Sequence, residues 1–272
     1  MTQSNTTLGA ALVTGASSGI GAVYADRLAA RGHDLILAAR DEGRLNNLAA
    51  NLRAEHGVAV EVIRADLTQA ADVAALEAKI AADPTIALVV NNAGAAIMGG
   101  FLDNTPEKID DLIRLNVTAV ARLTHAAAKA FAPRGRGTIV NISSVVGIAH
   151  EYGASVYGAT KAFVTYLTQA VAHETAGTGV KLQAVLPGAT RTEIWERSGR
   201  DPADLDPDRT MDVDELVDAA LAGLDAGELI TIPSLPDPAD WAGYQAARAV
   251  LLPNLSKAHP AERYGVREPA LA

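Results

Sequence analysis

Short apolar runs alternate with longer segments of helical periodicity along most of the chain. The apolar runs are Ala10–Val13, Asp34–Ala38, Val58–Arg64, Ala87–Val90, Thr138–Ile142, Lys181–Leu186 and Leu229–Ile232. Most are continuously apolar rather than alternating. That is the pattern of strands covered by helices on both faces of a sheet. Between them, Gly21–Arg31, Arg44–His56 and Ala70–Ala82 set apolar residues on one side of a helix. Ile109–Phe131 and Ser155–Ala176 read as longer helices. Strand and helix in alternation predict an α/β fold with a doubly wound parallel sheet. One domain is expected over residues 1–272, with a core at about 8–235.

Two stretches break the pattern. Residues 191–211 carry Asp201-Pro202 and Asp206-Pro207-Asp208 and read as a loop or broken helices. Acidic and proline-interrupted, this stretch buries little by itself, so it is expected to act as a lid. Residues 233–272 are proline-rich and read as a C-terminal extension around one helix near Ala239–Leu252.

Composition narrows the function. Of 272 residues, 49% are hydrophobic and 20% charged, so the chain can build a core. A formal net charge of −9 argues against a broad nucleic-acid surface. With no cysteine there is no disulfide, thiol nucleophile or thiolate metal site, which fits a reducing cytoplasm. The opening MTQSNTT lacks the charged start of a secretory signal, and no apolar run reaches the roughly 18 residues of a membrane span. A soluble cytoplasmic protein is expected. The histidines at 33, 56, 125, 150, 173 and 259 show no ligand spacing, so no catalytic metal is expected.

The first strand runs into Thr14-Gly15-Ala16-Ser17-Ser18-Gly19-Ile20-Gly21, and helical periodicity starts at once. Strand, glycine turn and helix N-terminus make a phosphate site, because free N–H groups and the positive end of the helix dipole meet there. A plain strand-to-helix turn would look much the same. No Gly-Lys-Ser/Thr follows, so this is not a nucleoside-triphosphate loop. The second strand ends in Ala38-Ala39-Arg40. An acid at this tip suits a free ribose 2′-hydroxyl, whereas an arginine suits a 2′-phosphate. Arg40 therefore favours NADP(H) over NAD(H), although Asp41 and Glu42 would reverse that after a two-residue shift.

Tyr157 and Lys161 lie four apart at the start of a helix, hence on one face. Ser144 follows the Thr138–Ile142 strand, at the carboxyl end where parallel sheets bind ligands. A hydroxyl, a phenol and an ammonium together suit acid–base work on a carbonyl. Bringing a phenol from about 10 to about 7 takes about 4 kcal/mol. An ammonium about 4 Å away, at an effective dielectric near 20, supplies about that much. Taken alone, Tyr-x-x-x-Lys occurs in many helices by chance.

TGASSGIG, Asn91-Asn92-Ala93-Gly94, Asn116, Ser144, Tyr157-Gly158-Ala159-Thr160-Lys161 and Pro187-Gly188 occur in that order. As a set they resemble the short-chain dehydrogenase/reductase family, over about residues 8–235. The resemblance implies a Rossmann fold and an NADP-dependent oxidoreductase passing hydride between the nicotinamide and a carbonyl or secondary alcohol. It implies that Tyr157 is the general acid or base, that Ser144 holds the substrate oxygen, and that Lys161 lowers the tyrosine pKa and binds the nicotinamide ribose. Asn116 would anchor a water leading to Lys161. Gly15, Ser17, Ser18, Gly19, Ile20 and Gly21 would meet the pyrophosphate, and Asp66 the adenine. Asn92, Ala93 and Gly94 would line the ribose region, and Pro187, Gly188, Thr190 and Thr192 the nicotinamide. Each has a plainer alternative: Asn116 could kink a helix, Asp66 could cap one, and Pro187-Gly188 could be a bare turn. Thr190 stands where the family usually has an apolar residue.

The substrate pocket would draw on 95–98, 145–152 and 194–195, with Ser144, Tyr157, His150, Tyr152 and Trp195 as candidate contacts and Glu151 turned to solvent. A homodimer or homotetramer is expected, because Ile109–Phe131 and Tyr157–Val171 are apolar on more than one face. Epimerases and dehydratases on this fold use a differently spaced glycine motif. A non-catalytic redox sensor or scaffold is the alternative reading, though such proteins typically lack the Tyr or the Lys present here.

Overall fold

The computed structural model describes residues 8–97, 100–199 and 201–266. β1 (Ala10–Thr14) leads to α1 (Gly19–Ala30), β2 (Asp34–Ala39) to α2 (Glu42–His56), and β3 (Val60–Arg64) to α3 (Ala70–Ala82). β4 (Ile86–Asn91) is followed by α4 (Pro106–Ile113), a π-helical turn at Arg114–Ala119 and α5 (Val120–Phe131). β5 (Gly137–Ile142) precedes α6 (Ser155–Glu174) and β6 (Val180–Val185). Then come β7 (Ala189–Thr190), α7 (Ile194–Arg197), β8 (Thr210–Met211), α8 (Val213–Asp225) and β9 (Ile230–Thr231).

Seven strands form one parallel sheet in the order β3-β2-β1-β4-β5-β6-β9. The chain works outward from β1 in one direction and then returns to lay β4 on its other side. That reversal opens a crevice at the carboxyl ends of β1 and β4, where such sheets bind ligands. Strand residues alternate between two cores, as the period of two requires. Ala11, Val13, Leu35 and Leu37 pack against α1, α2 and α8 through Tyr24, Leu28, Leu45, Leu52 and Leu216. Leu12, Ile36, Val89 and Ile139 pack against α3 and α5 through Leu76, Ile80, Leu123 and Phe131. Both faces are covered, which explains why the strands read as continuous apolar runs.

Strand boundaries shift slightly from expectation. The run from Val58 pairs only from Val60, because the Ala59 amide donates to the Asp34 carboxylate at 2.8 Å. The last strand shortens to Ile230–Thr231, an edge paired with β6 alone. Residues 191–211 are not a free loop throughout. β7 and β8 pair as a two-stranded ladder at their two ends, and α7 lies between. Among the described residues no helix is long and apolar enough to cross a membrane.

The chain divides into two compact units, one reaching Pro233 and one beginning at Ser234. The second holds α9 (Pro238–Ala249), close to the expected Ala239–Leu252. Asp237 caps it by accepting from the Ala239 amide at 2.8 Å, and Pro238 occupies its first turn. α9 buries no residue; Trp241 stacks on Tyr244 with ring centroids 5.1 Å apart.

Candidate active site

The glycine turn and the Asn-Asn-Ala-Gly segment are one structural unit. Gly15 sits at φ +66°, and a Cβ there would stand 2.8 Å from the Ala93 Cα. A Cβ on Gly21 would fall 2.5 Å from the Gly15 carbonyl oxygen and against the Asn92 amide. Only glycine fits at either place. Asn92 fills the gap, its Nδ2 donating to the carbonyls of Thr14 at 2.9 Å and Gly15 at 3.2 Å. The Thr14 hydroxyl accepts from the Asn92 and Ala93 amides, both at 3.0 Å. Ser17, Ser18, Gly19 and Ile20 remain half-buried around the α1 N-terminus. Ser18 is the N-cap but its side chain makes no capping bond, so the first N–H groups of α1 have no side-chain acceptor among the described residues. Bare glycines pressed to the backbone and uncapped N–H donors fit a pyrophosphate.

At the tip of β2, Arg40 is exposed and makes no hydrogen bond or ion pair among the described residues. Asp41 is the N-cap of α2; it accepts from the Arg44 amide at 3.0 Å and pairs with Arg44 Nε at 3.5 Å. The acid that could have reversed the cofactor preference is thus committed to the helix start. Asp66 holds the turn after β3, accepting from the Thr68 amide at 3.0 Å and hydroxyl at 2.9 Å.

Four side chains meet where β5 and α6 adjoin the crevice. The Ser144 hydroxyl donates to the Pro187 carbonyl at 3.2 Å and also lies within hydrogen-bonding reach of the Tyr157 phenol. Lys161, one turn along α6, is buried and donates to the Ile142 carbonyl at 2.8 Å. Its Nζ is 5.7 Å from the Tyr157 ring centroid. Asn116 lies in the π-helical turn, a local widening that re-aims side chains and recurs at functional sites. Its Nδ2 donates to the Ala95 carbonyl at 2.9 Å and the Thr160 hydroxyl at 3.1 Å, and its Oδ1 accepts from the Ala95 amide at 3.0 Å. A Cβ on Gly94 would stand 3.3 Å from Asn116 Oδ1 and 3.5 Å from Lys161 Nζ. The bare glycine keeps open the space those two polar groups face.

Electrostatics here differ from the sequence expectation that Lys161 depresses the phenol. Burial pushes the Tyr157 phenol up to about 12, with the Ser144 bond pulling weakly the other way. Burial pushes the Lys161 ammonium down to about 8. Both groups lose hydration in their charged forms, and the ammonium spends its hydrogen bond on a backbone carbonyl rather than on the phenol.

The outer contacts hold less closely to expectation. His150, with its side chain 94% exposed, and Tyr152 stand on a short 3₁₀ turn facing solvent, with Glu151 beside them. That turn ends in Gly153 and in Ala154, whose φ of +57° is strained for a residue with a Cβ. Ile97, Asn104, Ala154 and Val156 line a small cleft at Tyr157; Met98 lies outside the described residues. Trp195 Nε1 donates to the Thr190 carbonyl at 2.7 Å and lines a cavity of about 360 Å³ with Gly19, Arg191, Thr192, Leu205 and Val213. That cavity adjoins the glycine turn rather than the phenol. Thr190 is buried, its hydroxyl donating to the Gly188 carbonyl at 3.2 Å. Pro187 is tied to β5, its carbonyl also accepting from the Val145 amide at 3.0 Å.

Sequence reasoning missed several supports. Ser143 Oγ donates to the Lys161 carbonyl at 2.7 Å and lies 2.7 Å from the Thr165 hydroxyl. Thr160 donates to the Tyr157 carbonyl at 2.7 Å while receiving Asn116. Asp26, Glu55 and His56 bring ligand-type atoms within 4.8 Å of one another. His56 and Arg27 already engage the two Asp26 oxygens, at 2.9 and 2.6 Å.

Comparison with known proteins agrees with this geometry. The family model described as short chain dehydrogenase matches residues 9–203. A solved short-chain dehydrogenase from Sphingobium yanoikuyae, in complex with NADPH, is 54% identical, covers 94% of this chain and 100% of its own, and superposes with a TM-score of 0.91. A bulky-bulky ketone specific alcohol dehydrogenase from Comamonas testosteroni is 48% identical over 95% of this chain and 99% of its own, with a TM-score of 0.88. A 7beta-hydroxysteroid dehydrogenase from Collinsella aerofaciens is 34% identical over 183 residues, 66% of this chain and 68% of its own. The family match takes in the glycine turn, the π-helical Asn116 and the Ser144–Tyr157–Lys161 cluster together, and the protein belongs to the short-chain dehydrogenase family of oxidoreductases.

Proposed function

We propose that this protein is an NADPH-dependent carbonyl reductase, or an alcohol dehydrogenase in the reverse direction, acting on ketones with large groups on both sides of the carbonyl. The observation that carries the reading is the meeting of Ser144, Tyr157 and Lys161 at the mouth of a crevice whose glycine turn fits a pyrophosphate. The NADPH complex of the Sphingobium relative supports the cofactor, as does an Arg40 unpaired among the described residues while Asp41 caps α2. The Comamonas ketone-specific relative and the hydroxysteroid dehydrogenase support bulky substrates.

When bound, the nicotinamide supplies the hydride that reaches the carbonyl carbon. Gly15, Gly19 and Gly21 leave room for the pyrophosphate, and Arg40 meets the 2′-phosphate. Ser144 donates to the substrate oxygen, holding it beside the phenol. Tyr157 passes its proton to that oxygen as negative charge builds there. Burial pushes the phenol up, so it holds its proton in the resting site. Lys161 beside it stabilises the phenolate left behind, and Asn116, facing Lys161 across Gly94, lies on the route by which the proton is replaced.

The test is NADPH oxidation against ketones graded by substituent size, with Tyr157→Phe as the control. Turnover rising toward bulky ketones, and falling by about 10²–10⁴ in the variant with NADPH affinity unchanged, is expected. Binding of NADPH with no turnover on any ketone, aldehyde or acyl thioester would favour a sensor. Activity within tenfold of wild type for Tyr157→Phe would remove the tyrosine from the chemistry.

A further inference from the structure

A carboxylate sits where two guanidiniums converge beside the phosphate turn. Arg44 rises from the first turn of α2, four residues beyond Arg40. Its Nη1 reaches across the crevice to both oxygens of Glu193, at 2.9 and 2.8 Å. Arg197, on α7, grips the same carboxylate and also donates to the Ser18 hydroxyl at 3.3 Å. The residue before Glu193, Thr192, packs its methyl over Gly19, 3.3 Å from where a Cβ would stand. The Arg44 guanidinium therefore spans from the β2 tip toward the glycine turn, the ground that the adenosine end of a dinucleotide crosses. Its partners are carboxylates, Glu193 at Nη1 and Asp41 at Nε at 3.5 Å, and a guanidinium fork that holds a carboxylate holds a phosphate with the same donors.

We propose that Arg44 is a second 2′-phosphate ligand beside Arg40, and that Glu193 is its resting counter-ion. The inference rests on the NADPH reading above. Arrival of the 2′-phosphate exchanges the singly charged carboxylate for a more highly charged oxyanion. A cofactor without the 2′-phosphate has nothing to offer Arg44 and leaves the Glu193 pair in place. Specificity for the phosphorylated cofactor then comes from a specific anion exchange as well as from Arg40. Arg44 and Glu193 are both substantially exposed, with side chains 48% and 41% accessible, so either can be replaced without disturbing a core.

The experiment is calorimetric titration of the full chain with 2′,5′-ADP and with 5′-ADP, which isolates the 2′-phosphate from nicotinamide chemistry. The variants are Arg44→Ala, Glu193→Gln, the two together, and Arg40→Ala. Wild type is expected to prefer 2′,5′-ADP. Arg44→Ala should cut that preference roughly tenfold or more, the usual worth of a charge-assisted bond. Glu193→Gln should raise it several-fold, and the rise should vanish in the double variant, because the two residues act on one contact. If Arg40→Ala abolishes the preference while Arg44→Ala leaves it within twofold, the Arg44 assignment is wrong and the NADPH reading stands. If Glu193→Gln raises the preference equally with and without Arg44, the counter-ion role is wrong. A wild type that binds both nucleotides equally overturns this inference together with the NADPH reading.

Discussion

Replacing Lys161 by methionine separates the energetic burden of the buried ammonium from its use. In the folded protein burial pushes this group from an ordinary 10.5 to about 8, and it is almost wholly inaccessible. At pH 7 the folded chain carries the proton at a cost of about 3 kcal/mol, from about 1.4 kcal/mol for each pH unit of displacement. As pH climbs past 8 the folded protein releases that proton while the unfolded chain keeps it. The unfolded state then binds more protons, so stability rises with pH. Between pH 7 and pH 10 the rise from this one group comes to about 2–3 kcal/mol. The Lys161→Met variant has a similar stem and no charge, so it lacks the rise. Other titrating groups are common to both proteins and cancel in the difference. Urea unfolding at fixed protein concentration, at pH 7, 8, 9 and 10, reads the effect directly. At pH 7 the variant should be about as stable as wild type or more so, because the lost bond to the Ile142 carbonyl offsets only about 1 kcal/mol. The stability gap should then move in favour of wild type as pH rises. Parallel stability curves across that range would mean that Lys161 is not desolvated, and the reasoning would fail with them.

Arg40→Ala should weaken NADPH about tenfold or more and leave NADH nearly unchanged, as a charge-assisted contact specific to the 2′-phosphate requires; equal weakening of both in fluorescence titrations would make Arg40 a mere support. Hydrogen exchange across residues 191–211 should be fast in the free protein and slow with cofactor and ketone bound, and unchanged exchange would exclude gating by this segment. Light scattering after size exclusion should return a homodimer or homotetramer, since α6 leaves Phe163 and Tyr166 exposed; a 28.1 kDa species at micromolar concentration would count against it.

The sheet was legible because a parallel sheet covered on both faces writes each strand as an unbroken apolar run, and the two cores account for that pattern. The glycine turn and the Tyr157–Lys161 pair were legible because local spacing controls them. The π-helical turn was not: Ile109–Phe131 keeps its helical periodicity straight through Arg114–Ala119, and one extra residue per turn leaves little trace in hydropathy. β7 and β8 were hidden because a two-residue ladder is closed by backbone atoms alone. His150 and Tyr152 were chosen as polar residues in the right loop, yet a 3₁₀ turn points them to solvent. The Arg44–Glu193 contact joins ordinary surface residues 149 positions apart, a pairing only the fold reveals. The expectation for the phenol counted only the Coulomb attraction of Lys161, whereas burial of both groups acts against their charged forms.

The ladder between β7 and β8 has a consequence for how this fold can change. Ala189 pairs with Thr210 and Thr190 with Met211, so the chain leaves the sheet and returns to α8 through adjacent points. The Arg191 amide donates to the Met211 carbonyl at 3.0 Å, and its side chain meets Asp212 at 2.9 Å, fastening the doorway further. Whatever lies beyond that doorway is grafted on a fixed stem. Doubling the length of a flexible insert costs only about 0.6 kcal/mol in closure entropy. Inserts of other lengths and compositions can therefore be exchanged there while the sheet, the glycine turn and the Tyr157 helix keep their places. The stem gives evolution or an engineer one place at which a segment can be exchanged as a cassette, with the parallel sheet inherited intact.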